Sequence, residues 1–304
     1  MSAIPGVASI MPADGVMGQS TTTQVLTGVV MVVLLYVGMG VLEYLYKSLS
    51  GMWKDRVVLF PDTYASGSIT QQAIQDPSNP LSRTIYFSDN QRSGIEFSYS
   101  MFLNISSDTF SKGDRKLYHI LHKGYPKSYP LMGPGIFSWG DKNTLRVFMN
   151  SYNTWDNWSD IDNIPIDKWF HLVVACKGSV LYAYINGNLK QKVKLSGGTP
   201  PYQNYGDVYA FSSQRFSVNR TTTPSLGADP EFQADPNLAE MTFDGAAKGL
   251  ISRVYYFSYA LTYSEIQSLM NEGPSPKMQS SGTGSVSPYL ADTWWTDNGT
   301  NGLD

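Results

Sequence analysis

The sequence predicts an all-β protein: a two-sheet antiparallel sandwich with one transmembrane helix at its N-terminal side and one short helix near its C-terminal end. Three observations carry that expectation. The 304 residues include 20 tyrosines, 27 glycines and 17 prolines with few long helical patterns, a composition of strands and turns. An uncharged apolar run, VLTGVVMVVLLYVGMGVL, fills Val25 to Leu42. The stretch DKWFHLVVACKGSVLYAYINGNLKQKVKLSG, from Asp167 to Gly197, reads as three strands joined by tight turns.

Residues 1–24 are small, polar and nearly uncharged, and read as a flexible arm. Residues 25–46 read as the transmembrane helix, because at ~1.5 Å per residue such a run crosses a hydrocarbon core of ~30 Å. A signal peptide would carry positive charge ahead of its apolar stretch, and no Lys or Arg precedes Lys47; a globular helix of this length would show a polar face. Val25 to Tyr46 is therefore expected to contact the lipid bilayer, with Tyr36, Tyr44, Tyr46 and Trp53 as interfacial anchors. Lys47, Lys54 and Arg56 follow the span, while Asp14 alone carries side-chain charge before it. The positive-inside bias then places the C-terminal domain on the cytoplasmic side of a single-pass protein. The single cysteine, Cys176, agrees with a reducing compartment and reads as a buried small hydrophobe. The sequons at Asn104, Asn157, Asn219 and Asn298 are expected to stay unglycosylated on that side.

Residues 47–83 read as a juxtamembrane and lead-in segment, in which RVVLF stops at Pro61. The strand-like runs TIYFS, IEFSYSMFLNI, KLYHILHKG and GIFSWGDKNTLRVFMNSY follow, the last with a tight turn at Gly140 to Asn143. Trp169 to Cys176 then leads to a turn at Lys177-Gly178, Val180 to Ile185 runs back, and Asn186-Gly187 is a strong hairpin signal because both residues tolerate φ > 0. Next, Leu189, Gln191, Val193 and Leu195 alternate with Lys190, Lys192 and Lys194, which predicts one core face and one solvated face that also guards a sheet edge. After GDVYAFSS and GLISRVYYFSYAL, Thr262 and Glu265 form a capping box and Leu261 and Ile266 have hydrophobic-staple spacing. Leu269 and Met270 extend the stripe, and Gly273-Pro274 ends a helix expected to cover the sheet. Residues 274–304 read as an extended tail marked by Trp294 and Trp295.

DKWFHLVVAC, VLYAYINGNLKQKV and GLISRVYYFSYALTYSEIQSLMNEG together resemble the concanavalin A-like, laminin-G-like family. The positions that carry the resemblance are Trp169, His171, Tyr184, Asn186 and Gly187, then Ala260, Leu261, Thr262, Glu265 and Ile266. It spans Thr84 to Gly273, the expected domain of residues 84–273, and implies a jelly roll of two curved antiparallel sheets packed face to face. Such sandwiches serve as lectins, glycosidases, adhesion modules and structural parts, so function must come from the site. The family's laminarinase-type glycosidases carry Glu-x-Asp-x-x-Glu on one strand. No such triplet occurs here, and Glu96, Glu231, Glu240, Glu265 and Glu272 are scattered. No catalytic residues and no enzymatic activity are expected.

A net charge of -3 argues against nucleic acid as a partner. WDNWSDIDNIPID gathers Asp156, Asp160, Asp162 and Asp167 in what reads as one loop with Trp155 and Trp158. Hard oxygen ligands beside an aromatic platform suit a calcium-assisted glycan site, although the EF-hand spacing is absent and Asp and Asn favour turns in any case. Asp156, Asp160 and Asp162 are therefore calcium candidates, with no other cofactor expected, and Trp155, Trp158, Trp294 and Trp295 are candidates for ligand or partner contact. His119 and His122, three apart on a strand, should face opposite ways and share no metal. The combination of span, cytoplasmic laminin-G-like domain, absent disulfides and long tail is similar to membrane-anchored minor capsid proteins of large DNA viruses. That similarity implies a structural virion component linking an internal membrane to capsid proteins. The alternative is an outward-facing, membrane-tethered lectin or adhesin that holds glycan.

Overall fold

The computed structural model of the chain describes residues 21–54, 56–67, 69–88, 95–111, 113–233 and 240–279. Residues 1–20, Trp294, Trp295 and the Asn298 sequon lie outside the described residues. The chain divides into two compact units, 1–54 and 55–304. The first holds α1 (Thr21–Lys54), of 34 residues. From Val25 to Leu45 its mean hydropathy is 2.5 and every side chain is exposed, so the apolar surface runs all round and leaves no side for packing in a soluble core. By length and composition this helix can cross a membrane.

The second unit runs β1 (Arg56–Ala65), β2 (Gln71–Ala73), β3 (Glu96–Ile105), β4 (Leu117–Gly124), β5 (Met132–Trp139), β6 (Thr144–Met149), β7 (Asn157–Asp162), β8 (Phe170–Lys177), β9 (Val180–Ile185), β10 (Asn188–Lys194), β11 (Asp207–Ala210) and β12 (Arg215–Asn219). A one-turn α2 (Pro230–Gln233), β13 (Glu240–Ala246), β14 (Gly249–Phe257), α3 (Tyr263–Glu272) and β15 (Met278–Gln279) complete it. One sheet has the order β10-β9-β8-β3-β14-β1-β15. The other has β12-β13-β4-β5-β6-β7, with β11 paired to β4 and β2 to β11. The pairing is antiparallel as expected, except that β13 meets β4 and β15 meets β1 in parallel.

Three apolar clusters hold these layers. Between the sheets lie Tyr99, Met101 and Leu103 of β3, Ile136 of β5, Val147 of β6, and Leu172, Val174 and Cys176 of β8. Cys176 is buried as expected, and burial pushes its thiol pKa up. On the outer face of the first sheet, Ile266 and Leu269 of α3 pack with Val173, Tyr255, Phe257 and Leu261. The capping box forms, with Thr262 Oγ1 accepting from the Glu265 N–H, and Gly273 ends the helix at φ 65°. On the outer face of the second sheet, Leu226 and Phe232 pack with Phe137, Trp139, Phe148 and Phe243. The central strands are thus covered on both sides, and β4, β5 and β6 are buried at every position.

Four local features depart from the sequence reading. β1 does not stop at Pro61 but continues to Ala65, because the proline falls in a register break between Phe60 and Thr63 where no ladder donor is required. The segment read as a lead-in therefore supplies a strand of the sandwich. Beyond α3 the chain returns to the first sheet, where the Thr63 N–H donates to the Lys277 carbonyl at 2.9 Å and β15 pairs with β1. In β10 a register break between Leu189 and Gln191 places Leu189 opposite Tyr184, and the residue is 49% exposed rather than core. The turns themselves form as read, with Asn186 at φ 49° and Gly187 at φ 75°.

The fourth departure corrects the reading of His119 and His122. A register break between His119 and Leu121 inserts Ile120 as an extra residue, and the two rings meet, with His119 Nε2 and His122 Nδ1 2.6 Å apart. The Ser212 N–H donates to His119 Nδ1 at 2.9 Å, so His119 carries its proton on Nε2 and donates to His122 Nδ1. His122 in turn donates from Nε2 to the Tyr125 carbonyl at 2.7 Å. Every ring nitrogen is used, and only neutral imidazoles fit. Burial, helped by the neighbouring His122, holds His119 well below the ordinary imidazole range; burial lowers His122 to about 4 against the opposing Tyr125 carbonyl. His171, whose Nε2 meets Ser100 Oγ at 2.8 Å, is likewise lowered by burial to about 4.

Unfolded imidazole titrates near ~6.5. Between that value and about 4 the unfolded chain binds protons that folded His122 and His171 refuse. Stability is therefore complete above the window and is lost as pH falls through it, by up to ~1.4 kcal/mol per pH unit for each histidine. Urea unfolding midpoints are expected to hold from pH 8 to about 6.5 and to drop steadily below; a flat profile down to about pH 4 would contradict the neutral assignment.

Candidate functional site

Arg146 stands on β6, pointing away from the inter-sheet core, and is fully buried. Its Nε and Nη2 donate to Oδ1 and Oδ2 of Asp160 on β7 at 2.7 and 2.8 Å, and its Nη1 donates to Asp229 Oδ2 at 2.5 Å. The guanidinium also lies 4.7 Å from the Trp139 ring and 4.2 Å from the Trp158 ring. Burial works against the Arg146 charge, but hydrogen bonds and charge from Asp160 and Asp229 outweigh it and raise the pKa. Burial pushes the Asp229 carboxyl above the usual range even with Arg146 beside it. Asp229 also accepts the Glu231 N–H at 3.0 Å, and Lys142 Nζ donates to Glu231 Oε1 at 2.5 Å. These polar ties fasten the segment around α2, whose Leu226 and Phe232 close over the second sheet.

The acidic run read as one loop is largely a strand. Asp160 and Asp162 project from the same side of β7, two residues apart, and face Arg146 and Thr144 respectively. Thr144 Oγ1 donates to Asp162 Oδ1 at 2.8 Å, Thr154 Oγ1 donates to Asp156 Oδ1 at 2.5 Å, and Asp167 accepts the Ser107 N–H at 3.0 Å. Asp160 is spent on Arg146. The calcium candidates are therefore not gathered around one point, and among the described residues no group of three or more His, Cys, Asp or Glu side chains is placed to hold a metal ion.

Trp155 and Trp158 have different surroundings. Trp155 meets Tyr129 edge-on at 4.8 Å and stacks on Phe148 at 6.2 Å, so it is part of the outer-face packing. Trp158 is half-buried and lines a cleft of about 300 Å³ together with Asp156, Asp229, Ser196 and Ser225. The structure thus brings together one aspartate and one tryptophan of the predicted set. It adds Arg146 and Asp229, which the sequence reading missed because they lie 83 positions apart. One local signal was available: in TLRVFM, Arg146 occupies a strand position among apolar residues.

Three further glutamates are committed elsewhere. Lys177 pairs with Glu96 at 3.4 Å, Glu265 closes the α3 capping box, and Glu272 lies 3.3 Å from Arg253 Nη1. Fold and site define a jelly-roll sandwich of the lectin type whose outer sheet face is filled by its own chain. The protein belongs to the concanavalin A-like lectin/glucanase superfamily, whose laminin-G-type family model matches residues 82–267. No curated protein matches the chain. Among solved structures, the receptor binding domain of botulinum neurotoxin D is 13% identical with a TM-score of 0.42, the match covering 71% of this chain and 43% of that one. The binding domain of Paraclostridial Mosquitocidal Protein 1 is 13% identical with a TM-score of 0.42, over 69% of this chain and 42% of that one. The chain spans about two-fifths of the length of each.

Arg146→Met leaves Asp229 without its cation and Asp160 with only Lys142, at 3.9 Å, and is expected to lower stability by on the order of 3–5 kcal/mol in urea unfolding; a loss below about 1 kcal/mol would show the triad to be dispensable. Because Asp160 is occupied by Arg146, millimolar calcium and EDTA are both expected to leave Tm unchanged. A calcium-dependent rise of several degrees would restore a cation site at Asp156, Asp160 and Asp162.

Proposed function

We propose that the protein is a non-enzymatic, membrane-anchored structural component, a minor capsid protein that links an internal membrane to the protein shell. The observation that carries this reading is the pairing of an exposed apolar helix, long enough to cross a membrane, with a sandwich whose Asp156, Asp160 and Asp229 are bound within its own fold. A glycosidase needs two carboxylates free to face a sugar, one protonated and one ionised. The two acids that line the open cleft on the second sheet are instead held within the fold, Asp229 by Arg146 and Asp156 by the Thr154 hydroxyl. In this reading the helix holds the bilayer, the domain and the tail carrying Trp294 and Trp295 contact capsid proteins, and the domain lies on the cytoplasmic side.

A second reading, a membrane-tethered lectin, is favoured by the cleft beside Trp158, where one aromatic ring meets a polar rim that includes Asp156 and Ser196. The two readings place the domain on opposite sides of the membrane. Protease protection and glycan analysis of the full chain made in membranes are expected to find residues 55–304 cytoplasmic, with Asn104, Asn157 and Asn219 unmodified. A lumenal, glycosylated domain would overturn the structural reading and favour the lectin.

A further inference from the structure

Lysine is among the residues least often buried, and a buried ammonium ordinarily has a carboxylate partner. Lys123, on β4, is 3% exposed. Its amine meets not a carboxylate but the Gly206 carbonyl oxygen, at 2.5 Å. The neighbouring Asp207 is otherwise engaged, its Oδ1 accepting the Gln75 N–H at 2.7 Å and its Oδ2 accepting from Gln72 Nε2 at 2.6 Å. Burial lowers the amine to about 8, with Asp207 opposing.

The Lys123 side chain borders a cleft. Gly206 lies between Tyr205 and Asp207, and these two residues line with Lys123, Phe87 and Thr84 a cleft of about 270 Å³. The Phe87 and Tyr205 rings form an aromatic wall, with centroids 4.5 Å apart, and Tyr205 is 81% exposed. The Asn204 side chain fixes the arrangement: its Nδ2 donates to the Lys123 carbonyl at 3.0 Å, and the Gly206 N–H donates to its Oδ1 at 2.9 Å. A second register break on β4, between His122 and Gly124, frees Lys123 from the ladder to β5.

We propose that Lys123 is a reactive amine whose aromatic-walled cleft takes a small, flat carbonyl compound, an aromatic aldehyde or ketone, and captures it as an imine. A neutral amine that donates one hydrogen to Gly206 keeps its nitrogen lone pair for a ligand lying on Tyr205. The lone pair attacks the carbonyl carbon, a C–N bond forms, and one amine proton moves to the oxygen to give a carbinolamine. The nitrogen lone pair then expels the hydroxyl, which leaves as water with the second amine proton, and C=N replaces C–O. No electrons are gained or lost overall. The capture is stoichiometric and independent of the anchoring role.

The test uses the full chain in detergent with benzaldehyde as probe, sodium cyanoborohydride to trap the imine, and peptide mass spectrometry to place the label. The exposed Lys190, Lys192 and Lys194 are internal standards. At pH 7.5 Lys123 is expected to label on the order of 100-fold faster than they do. Its rate should level off above about pH 8, the value to which burial lowers it. Labelling no faster than the exposed lysines, or a rate still rising through about pH 10, would overturn the proposal. Tyr205→Ala removes the wall and spares the amine; it is expected to slow Lys123 labelling about tenfold with Tm unchanged. Unaltered labelling in that variant would place the aldehyde outside the cleft.

Discussion

Where a strand is covered on both faces, every polar group it carries must find its partner inside the protein, and this constraint governs the second sheet. Its inner face meets the first sheet, while its outer face is closed by Leu226 and Phe232 of the segment around α2. Arg146 stands on that closed face. Without Asp160 and Asp229 its charge could not remain there, and without Arg146 the two carboxylates would repel under the same cover. The ion triad and the apolar closure depend on each other: the charges decide where the segment lies, and the segment removes the water that would weaken them. His119 and His122 meet the same constraint and remain neutral because each ring nitrogen has one assigned partner.

Sequence made some of this legible and concealed the rest for identifiable reasons. The Asn186-Gly187 hairpin, the α3 capping box and the burial of Cys176 are local or composition-driven, and all are present. Alternation can be seen in β7, β9 and β13, where one face is less covered. It fails in β4, β5 and β6, which are buried throughout, because double coverage removes the contrast on which period-two reading relies. Register breaks left no mark in the pattern either. One extra residue at Ile120 turned two histidines toward each other, and one near Lys190 turned Leu189 outward.

The acidic run shows how local chemistry misleads when a distant partner takes part. Asp156, Asp160 and Asp162 have the composition of a cation loop, yet Asp160 answers a charge brought by β6 and Asp162 a hydroxyl at the start of the same strand. Only Asp156 and Trp158 keep a shared opening, the cleft bordered by Ser225, Ala228 and Asp229. Membership of the superfamily fixes the architecture. Which groups remain available to a ligand was decided by the segment closing the outer face, whose one local signal, Asp229 ahead of Pro230, marks a helix start but not where that helix docks.

The two margins of the first sheet carry a different implication. β10 ends it on one side with Lys190, Lys192 and Lys194 exposed, and β15 ends it on the other with two residues in parallel register. A neighbouring strand added at the first margin would have to crowd ammonium groups together, and at the second would find too little backbone to grip. Continuous β-structure across copies of this protein is therefore unfavourable at both ends of that sheet. Joints made away from those margins, through loops or side-chain surfaces, are free to turn through different angles as a curved surface requires.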